Sequence, residues 1–195
     1  METLRFLLTG ISHLICHNGQ LADPLNTWTK KLKKVSSQRK KTDADFEEMA
    51  RLEFMGSLYI HDGVPVIPGQ LLKAALAGKG GAGRMEKEGR AAGVGIFCDT
   101  SYPLQYDGPK EPKEMWKDER FRFRVGVRVG QATVMRTRPI FPEGWSIEGT
   151  LQYNTEFVNR DHVIHWLELA GNAVGLGDWR PAKGGPYGRF EVEIL

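Results

Sequence analysis

The sequence has few cysteines and no long apolar run, and these two absences exclude several classes of protein. Its two cysteines in 195 residues, Cys16 and Cys98, cannot form the disulfide framework that holds small secreted domains together. No stretch approaches the roughly 18 apolar residues that a membrane-spanning helix requires. Residues 1–15 lack the small-residue cleavage site of a signal peptide. We therefore expect a soluble, cytoplasmic protein with no membrane partner.

The chain also lacks a large net charge, so any charged partner must be inferred from where the charges lie. A formal net charge of +3 and a pI near 8.8 are too mild to indicate nucleic-acid binding by themselves. A hydrophobic fraction of 41% and five tryptophans are enough for a buried core. We predict a single domain over residues 1–195.

Acidic residues are missing from one extended segment, residues 121–138, which contains five arginines. Strands alternate their side chains between two faces, and here every arginine falls on an even position while most odd positions are apolar. Gly126 or Gly130 is expected to break the segment into two strands. The pattern predicts one basic face that contacts nucleic acid, or else a solvated face with acidic partners. This face would carry Arg122, Arg124, Arg128, Arg136 and Arg138.

The order of predicted elements indicates an α+β fold. The elements are a strand at 3–12, a hairpin at Asp62-Gly63, a helix from Gly69, the arginine strand, a strand at 145–153, a helix after Asn159 and a strand at 189–194. Without insertions this order is βαββαβ, that of a ferredoxin-like (RRM-like) domain with an antiparallel sheet. The arginine strand would then belong to a sheet whose free face can bind RNA.

Two large insertions interrupt that order. The first, at about 18–53, combines a basic loop over 30–41 with a helix for which Thr42 is a candidate N-cap and Asp45 its capping-box partner. The loop is either mobile and solvated or a flap that closes over a nucleic-acid backbone through Lys33, Lys34, Arg39 and Lys40. The second insertion, at about 98–118, is predicted to be an irregular, thumb-like excursion.

Two motifs could bring the backbone close to a phosphate. In LYIHDGVPVIPGQLLKAALAGKG, residues 58–80, a helix begins at Pro68-Gly69 and carries Lys73 one turn later. GLGDWRPAKGGPYGRF, residues 175–190, is either a glycine-rich ligand loop or a plain turn between helix and strand. Its glycines are Gly175, Gly177, Gly184, Gly185 and Gly188, and its basic residues are Arg180, Lys183 and Arg189. Candidates for stacking on bases are Trp179, Tyr187, Phe97 and Tyr102.

Both motifs, together with the N-terminal LLTGISHLICHNG, resemble signatures of the repeat-associated mysterious protein (RAMP) superfamily of CRISPR systems. The resemblance covers roughly residues 4–20, 55–80 and 171–194, although Gln70 and Leu71 stand where serines are usual. The chain is most similar to the backbone subunits of that superfamily. This similarity implies a non-catalytic protein that binds single-stranded guide RNA by its phosphates. It also implies side-by-side assembly with further copies and other subunits in an antiviral effector ribonucleoprotein.

Catalysis is the alternative that the resemblance leaves open. Guide-processing endoribonucleases of the superfamily work without metal, and His13, His17 or His61 could serve as their general base. Asp23 is loosely placed for the target-RNA cleavage that other backbone subunits perform. A protein-binding relative from a phage or mobile element is a third possibility. We expect neither a metal nor a cofactor, because no second ligand cluster accompanies His13, Cys16 and His17.

Overall fold

The computed structural model describes residues 1–99 and 101–195, and its contacts divide these residues into two units. The first unit comprises Met1–Leu14, Ile60–Asp107 and Phe141–Leu195. The second comprises Ile15–Tyr59 and Gly108–Ile140. The chain therefore leaves the first unit twice, and the two excursions together make the second unit. Both units mix helices with antiparallel strands, which confirms the α+β class.

A four-stranded antiparallel sheet forms the centre of the first unit. Its order is β10-β1-β9-β5, where β1 is Glu2–Gly10, β5 is Ile96–Cys98, β9 is Ser146–Tyr153 and β10 is Phe190–Ile194. Alternate residues of β1 and β9, such as Phe6 and Ile147, are buried on one face, and for β9 the alternation of residues 145–153 predicts this. The other face of the sheet carries charged side chains, including Arg5 and Glu148.

Helices cover the buried face of this sheet. They are α3 (Gly69–Ala77), α4 (Ala82–Met85), α5 (Gly89–Gly95) and α7 (Arg160–Leu169), and α7 continues into a π-helical turn over Ala170–Val174. The Asn159 side chain caps α7 by accepting from the His162 N–H at 2.8 Å, which confirms the predicted start of that helix. The longer helices bury one apolar face each, through residues such as Leu72 and Trp166.

A small sheet completes the first unit, with strands β3 (Ile60–His61), β4 (Val64–Pro68) and β6 (Ser101–Pro103). The predicted hairpin is confirmed, because β3 and β4 pair across Asp62 and Gly63. Both turn residues have positive φ, 49° and 80°, as a two-residue hairpin turn requires.

The second unit packs helices against the arginine-bearing hairpin. Its helices are α1 (Thr27–Ser36), α2 (Asp43–Ser57) and α6 (Pro112–Lys117), and its sheet has the order β2-β8-β7, with β2 at Leu14–Ile15, β7 at Arg122–Val129 and β8 at Ala132–Phe141. The predicted capping box of α2 is confirmed. The Asp45 N–H donates to Thr42 Oγ1, and the Thr42 N–H donates to the Asp45 carboxylate at 2.8 Å.

Three predictions of secondary structure are wrong. The basic segment 30–41 is not a loop throughout, because α1 covers Thr27–Ser36. Trp28, Leu32 and Val35 form an apolar face at helical spacing, but lysines stand between them in the sequence, and the segment therefore has the pattern of a basic loop. The excursion at 98–118 contains β6 and α6, so it is not irregular, and Thr100 within it lies outside the described residues.

The third error concerns the second strand of the main sheet. That strand is β5, which pairs with β9 through Ile96 opposite Tyr153, and the arginine segment forms a separate hairpin. With three residues, β5 is too short to show an alternating pattern. Over residues 1–99 and 101–195, no helix is both long and apolar enough to cross a membrane.

Candidate nucleic-acid interface

The turn of the β7–β8 hairpin divides the five arginines between two faces. Gly130 and Gln131 connect the strands, and Gly130 has a φ of 61°. Directly paired residues of antiparallel strands project from the same face. Arg124 pairs with Thr137, whereas Arg136 pairs with Val125. The expectation of one five-arginine face is therefore wrong, since a two-residue turn shifts the alternation by one position.

The first hairpin face carries Arg122, Arg124 and Arg128. Arg122 is engaged by its neighbours: it lies 5.0 Å from the centre of the Trp116 ring and donates to Glu119 at 2.9 Å, and Glu47 is 3.8 Å away. These acidic partners offset its charge, as the solvated-face alternative anticipated. Arg124 and Arg128 are exposed. This face therefore offers two exposed arginines rather than a continuous basic surface.

The second hairpin face forms one wall of a cleft of about 420 Å³. Arg136 and Arg138 project into this cleft, and His17 lies in it as well. The apolar part of the lining comes from Leu21, Ala22, Leu32, Val127 and Val129, and the rest comes from Glu53, Ser57 and Thr137. The structure thus brings together three residues that the sequence proposed separately, two as phosphate ligands and one as a general base. We refer to this site as the arginine cleft.

Glu53 is the acidic residue of the arginine cleft, and the sequence did not single it out. It is 6% exposed, accepts a hydrogen bond from Arg136 Nη1, and accepts another from the Thr137 N–H at 3.0 Å. A carboxylate is rarely buried without a charged partner. Glu53 lies among the buried residues of α2, so its position could have indicated that it pairs with an arginine.

The electrostatics of the arginine cleft favour an anionic ligand. Burial lowers the pKa of His17, and the positive charges of Arg138 and Arg136 lower it further, while Glu53 opposes this shift. Burial and the neighbouring Arg136 likewise lower the pKa of Arg138. His17 is therefore neutral at pH 7. The charged groups of the cleft are then the guanidinium groups of Arg136 and Arg138 and the carboxylate of Glu53. An entering phosphate would offset the repulsion between the arginines.

Helix α1 adds further positive charge beside the cleft. Leu32 faces the cleft, while four lysines of the same helix are exposed: Lys30, Lys31, Lys33 and Lys34. Arg39 and Lys40 are exposed in the connection between α1 and α2. Helical periodicity, rather than a flexible loop, thus directs these lysines to solvent.

Lys73 is partly exposed, but its ammonium group is engaged by backbone carbonyls and an aromatic ring rather than left open for a phosphate. Its Nζ donates to the Gly93 carbonyl at 2.8 Å and to the Ile96 carbonyl, and it lies 5.2 Å from the centre of the Phe97 ring. Burial lowers the pKa of Lys73. The side chain therefore caps the C-terminal end of α5.

Tyr102 is also unsuited to the stacking role predicted for it. Its ring is buried against Phe6, with ring centres 5.5 Å apart, and its hydroxyl donates to the Thr150 carbonyl at 2.8 Å. Phe97, in contrast, is exposed.

The glycine-rich loop uses its backbone N–H groups within the first unit. Leu176 donates to the Gly188 carbonyl at 2.8 Å, and Gly188 donates to the His13 carbonyl at 2.7 Å. Gly188 has a φ of 71°, and a side chain there would collide with the Leu176 carbonyl. Gly175, Gly177 and Gly184 also have positive φ. These glycines let the chain fold back on itself, which accounts for them without a phosphate.

The basic residues of that loop are less confined. Arg180 donates to the Gly177 carbonyl at 2.7 Å, Arg189 is partly exposed, and Lys183 is exposed. The N–H of Gly185 donates to the Arg180 carbonyl at 3.1 Å. A nucleic-acid strand bound at this loop would therefore contact side chains of the loop more than its backbone.

None of the other catalytic candidates is among the residues that line the arginine cleft. His13 belongs to the first unit, where its carbonyl serves the glycine loop. The exposed Asp23 accepts from the Leu25 N–H at 2.8 Å in a local turn. His61 is exposed beside Asp62 at 3.5 Å. Among residues 1–99 and 101–195, no cluster of three or more ligating side chains could hold a metal ion.

Comparison with known proteins does not add an assignment. No protein-family model matches the chain, and no curated protein sequence is significantly similar to it. A function for the chain therefore rests on the arginine cleft and its surroundings.

Proposed function

We propose that the chain is an RNA-binding protein whose second unit holds the phosphates of a single strand in the arginine cleft. The observation that carries this proposal is the presence of Arg136, Arg138 and His17 in one cleft of about 420 Å³. This volume is within the range of ordinary ligand sites, roughly 300–1,000 Å³. The guanidinium groups suit phosphate oxygens, and the apolar wall suits a ribose or a base.

The strand order of the first unit supports a ferredoxin-like (RRM-like) βαββαβ domain. With the order β10-β1-β9-β5, the central strands are the first and third of that motif. Helix α3 lies between β1 and β5 in the chain, and α7 lies between β9 and β10. The open face of this sheet carries Glu191 and Glu193, and its Arg5 is paired with Glu148 at 2.9 Å. That acidic face favours RNA contact through the second unit instead.

The identity of the RNA is proposed from the resemblance to RAMP backbone subunits. On this basis the strand is a guide RNA, and further copies of the chain and other effector subunits assemble along it. The exposed lysines of α1, together with Arg124 and Arg128, would extend the phosphate contacts beyond the arginine cleft.

Fluorescence anisotropy with a labelled single-stranded RNA tests the proposal. Arg138→Ala should weaken binding about tenfold at roughly 100 mM salt, and it should reduce the salt dependence by about one released counterion. Arg90→Ala, which removes an exposed arginine of α5, is the matched control and should bind as wild type does. If Arg138→Ala binds as tightly as the control, the cleft does not hold the RNA.

A metal-independent endoribonuclease is the second candidate, favoured by the neutral His17 beside two arginines. In that reaction His17 would take the proton of a 2′-hydroxyl as its oxygen bonds to phosphorus. The bond from phosphorus to the 5′-oxygen would then break, leaving a 2′,3′-cyclic phosphate, and the 5′-oxygen would take a proton from water or from the imidazolium of His17 to become a 5′-hydroxyl. Arg136 and Arg138 would stabilise the charge on the phosphoryl oxygens.

Incubating the protein with RNA in EDTA separates the two candidates. An endoribonuclease would yield cyclic-phosphate ends, would fail to cut at 2′-deoxy positions, and would lose activity in His17→Ala. A binding protein leaves the bound RNA intact under the same conditions.

A further inference from the structure

We propose that the glycine-rich loop presents a platform on which a single-stranded nucleobase stacks, formed by Trp179 and edged by Tyr187. This inference rests on the proposed RNA-binding function. It assigns the loop a ligand different from a phosphate, because the loop backbone is bonded internally. The platform lies wholly within the first unit.

The backbone of Trp179 is strained. Its φ is 48°, in the left-handed region, which glycine and asparagine tolerate and a bulky aromatic residue rarely adopts. Such strain persists where the surrounding structure imposes it, and it is concentrated at functional sites. Stability alone would favour glycine or asparagine at this position.

The loop holds the strained residue in place. The Tyr187 N–H donates to the Trp179 carbonyl at 3.3 Å, and the two rings meet edge to face with their centres 5.8 Å apart. Gly185 lies so close under the Trp179 carbonyl and indole that any side chain there would collide with both. The indole is therefore set in one orientation before any ligand arrives.

The side chain that this strain positions is 43% exposed. An oriented, exposed indole offers the flat apolar surface on which unpaired bases stack, and stacking of this kind tolerates any base. The exposed Lys183 and the partly exposed Arg189 supply positive charge on the same loop for the adjoining phosphates. An aromatic face beside cations suits single-stranded RNA better than an uncharged ligand.

Two RNA strands of equal length, an oligouridine and an abasic ribose-phosphate strand, test this proposal in the full-length protein. Wild type should bind both strands through phosphates and should bind the oligouridine more tightly. Trp179→Gly should lose about five- to a hundredfold in affinity for the oligouridine and none for the abasic strand. The substitution relieves strain but also removes the packing of the indole against Tyr187, so the melting temperature of the variant should change little. Phe157→Ala, at an exposed phenylalanine of the same unit, is the control that should change neither affinity.

The outcomes separate this inference from the function on which it rests. If wild type binds neither strand, the RNA-binding proposal fails and the platform with it. If wild type binds both and Trp179→Gly leaves both affinities unchanged, the platform alone is wrong. A Trp179→Gly protein that melts earlier and loses both affinities equally would show that Trp179 only holds the loop. Photocrosslinking of wild type to a 4-thiouridine strand gives a second test. The peptide that contains Trp179 and Tyr187 should be labelled more than other segments. Equal labelling of all segments would contradict the platform.

Discussion

Replacing Glu53 by glutamine tests the ion pair that shapes the arginine cleft. Glutamine keeps the shape of the side chain and can still accept from the Thr137 N–H, so the change removes mainly the charge beside Arg136. Breaking a fully buried pair costs about 3–5 kcal/mol, and a single charged hydrogen bond contributes about 1.5–3 kcal/mol. Water still reaches Arg136, whose side chain is 38% exposed, so that part of the loss is compensated. We expect the free energy of unfolding to fall by about 2 kcal/mol.

The same substitution should act on RNA in the opposite direction. Without the carboxylate, no negative charge offsets Arg136 and Arg138 when the RNA binds. The electrostatic attraction gained over a few ångströms in a water-exposed cleft corresponds to about threefold tighter binding. Urea unfolding followed by tryptophan fluorescence gives the stability, and anisotropy gives the affinity. Glu47→Gln is the matched control on the same helix, because Glu47 is 58% exposed and lies 3.8 Å from Arg122. If Glu53→Gln binds RNA more weakly than wild type, Arg136 needs Glu53 in order to bind RNA. If Glu53→Gln is as stable as wild type, the buried ion pair does not contribute to the free energy of unfolding.

Three further predictions concern residues outside that pair. Lys73→Met should lower the free energy of unfolding by about 1–2 kcal/mol, because the carbonyls of Gly93 and Ile96 lose their donor, and anisotropy should show an unchanged RNA affinity. Weaker RNA binding with the stability of wild type would instead indicate that Lys73 is a phosphate ligand. Gly188→Ala should cost about 2 kcal/mol or more in urea unfolding through strain and a clash with Leu176, whereas Gly184→Ala, which meets open space, should cost about 1 kcal/mol; equal costs would contradict the packing of the loop. Because the folded state lowers the pKa of His17, the imidazole is protonated in the unfolded chain at a higher pH than in the folded protein, so wild type should lose stability relative to His17→Gln as the pH falls from about 7.5 to about 5.5. If the stability of the two proteins changes in parallel with pH, His17 does not lie in the charged cleft.

Local signals in the sequence predicted much of the fold. The Thr42 capping box, the Asp62-Gly63 turn and the Asn159 cap each depend on neighbouring residues only, and all three are confirmed. The alternation of residues 145–153 predicted the buried face of β9 for the same reason. Elements whose stability comes from their own residues leave a pattern that a single sequence can show.

The site depended on longer-range facts that the sequence could not show. The faces of the five arginines follow from the two-residue turn at Gly130 and Gln131, and a turn one residue longer or shorter would place all five on one face. The partners of Arg136 and Lys73, Glu53 and the end of α5, lie 83 and 20 residues away from them in the chain. The three-residue strand β5 pairs with β9, and a run of three residues is too short to show the alternating pattern of a strand. The sequence therefore supplied Arg136, Arg138 and His17 of the arginine cleft, but neither their grouping nor Glu53.

The pKa of His17, measured by NMR titration of its imidazole with and without a single-stranded RNA, tests the central proposal most directly. His17→Gln identifies the resonance among the five histidines. In the free protein the pKa should lie below the ordinary value of 6.5, because the imidazole is partly buried beside two arginines. A phosphate bound between those arginines would add negative charge next to the ring, and the pKa should rise on binding. If RNA binds while the His17 pKa stays where it was, the RNA is held elsewhere and the arginine cleft is not its site.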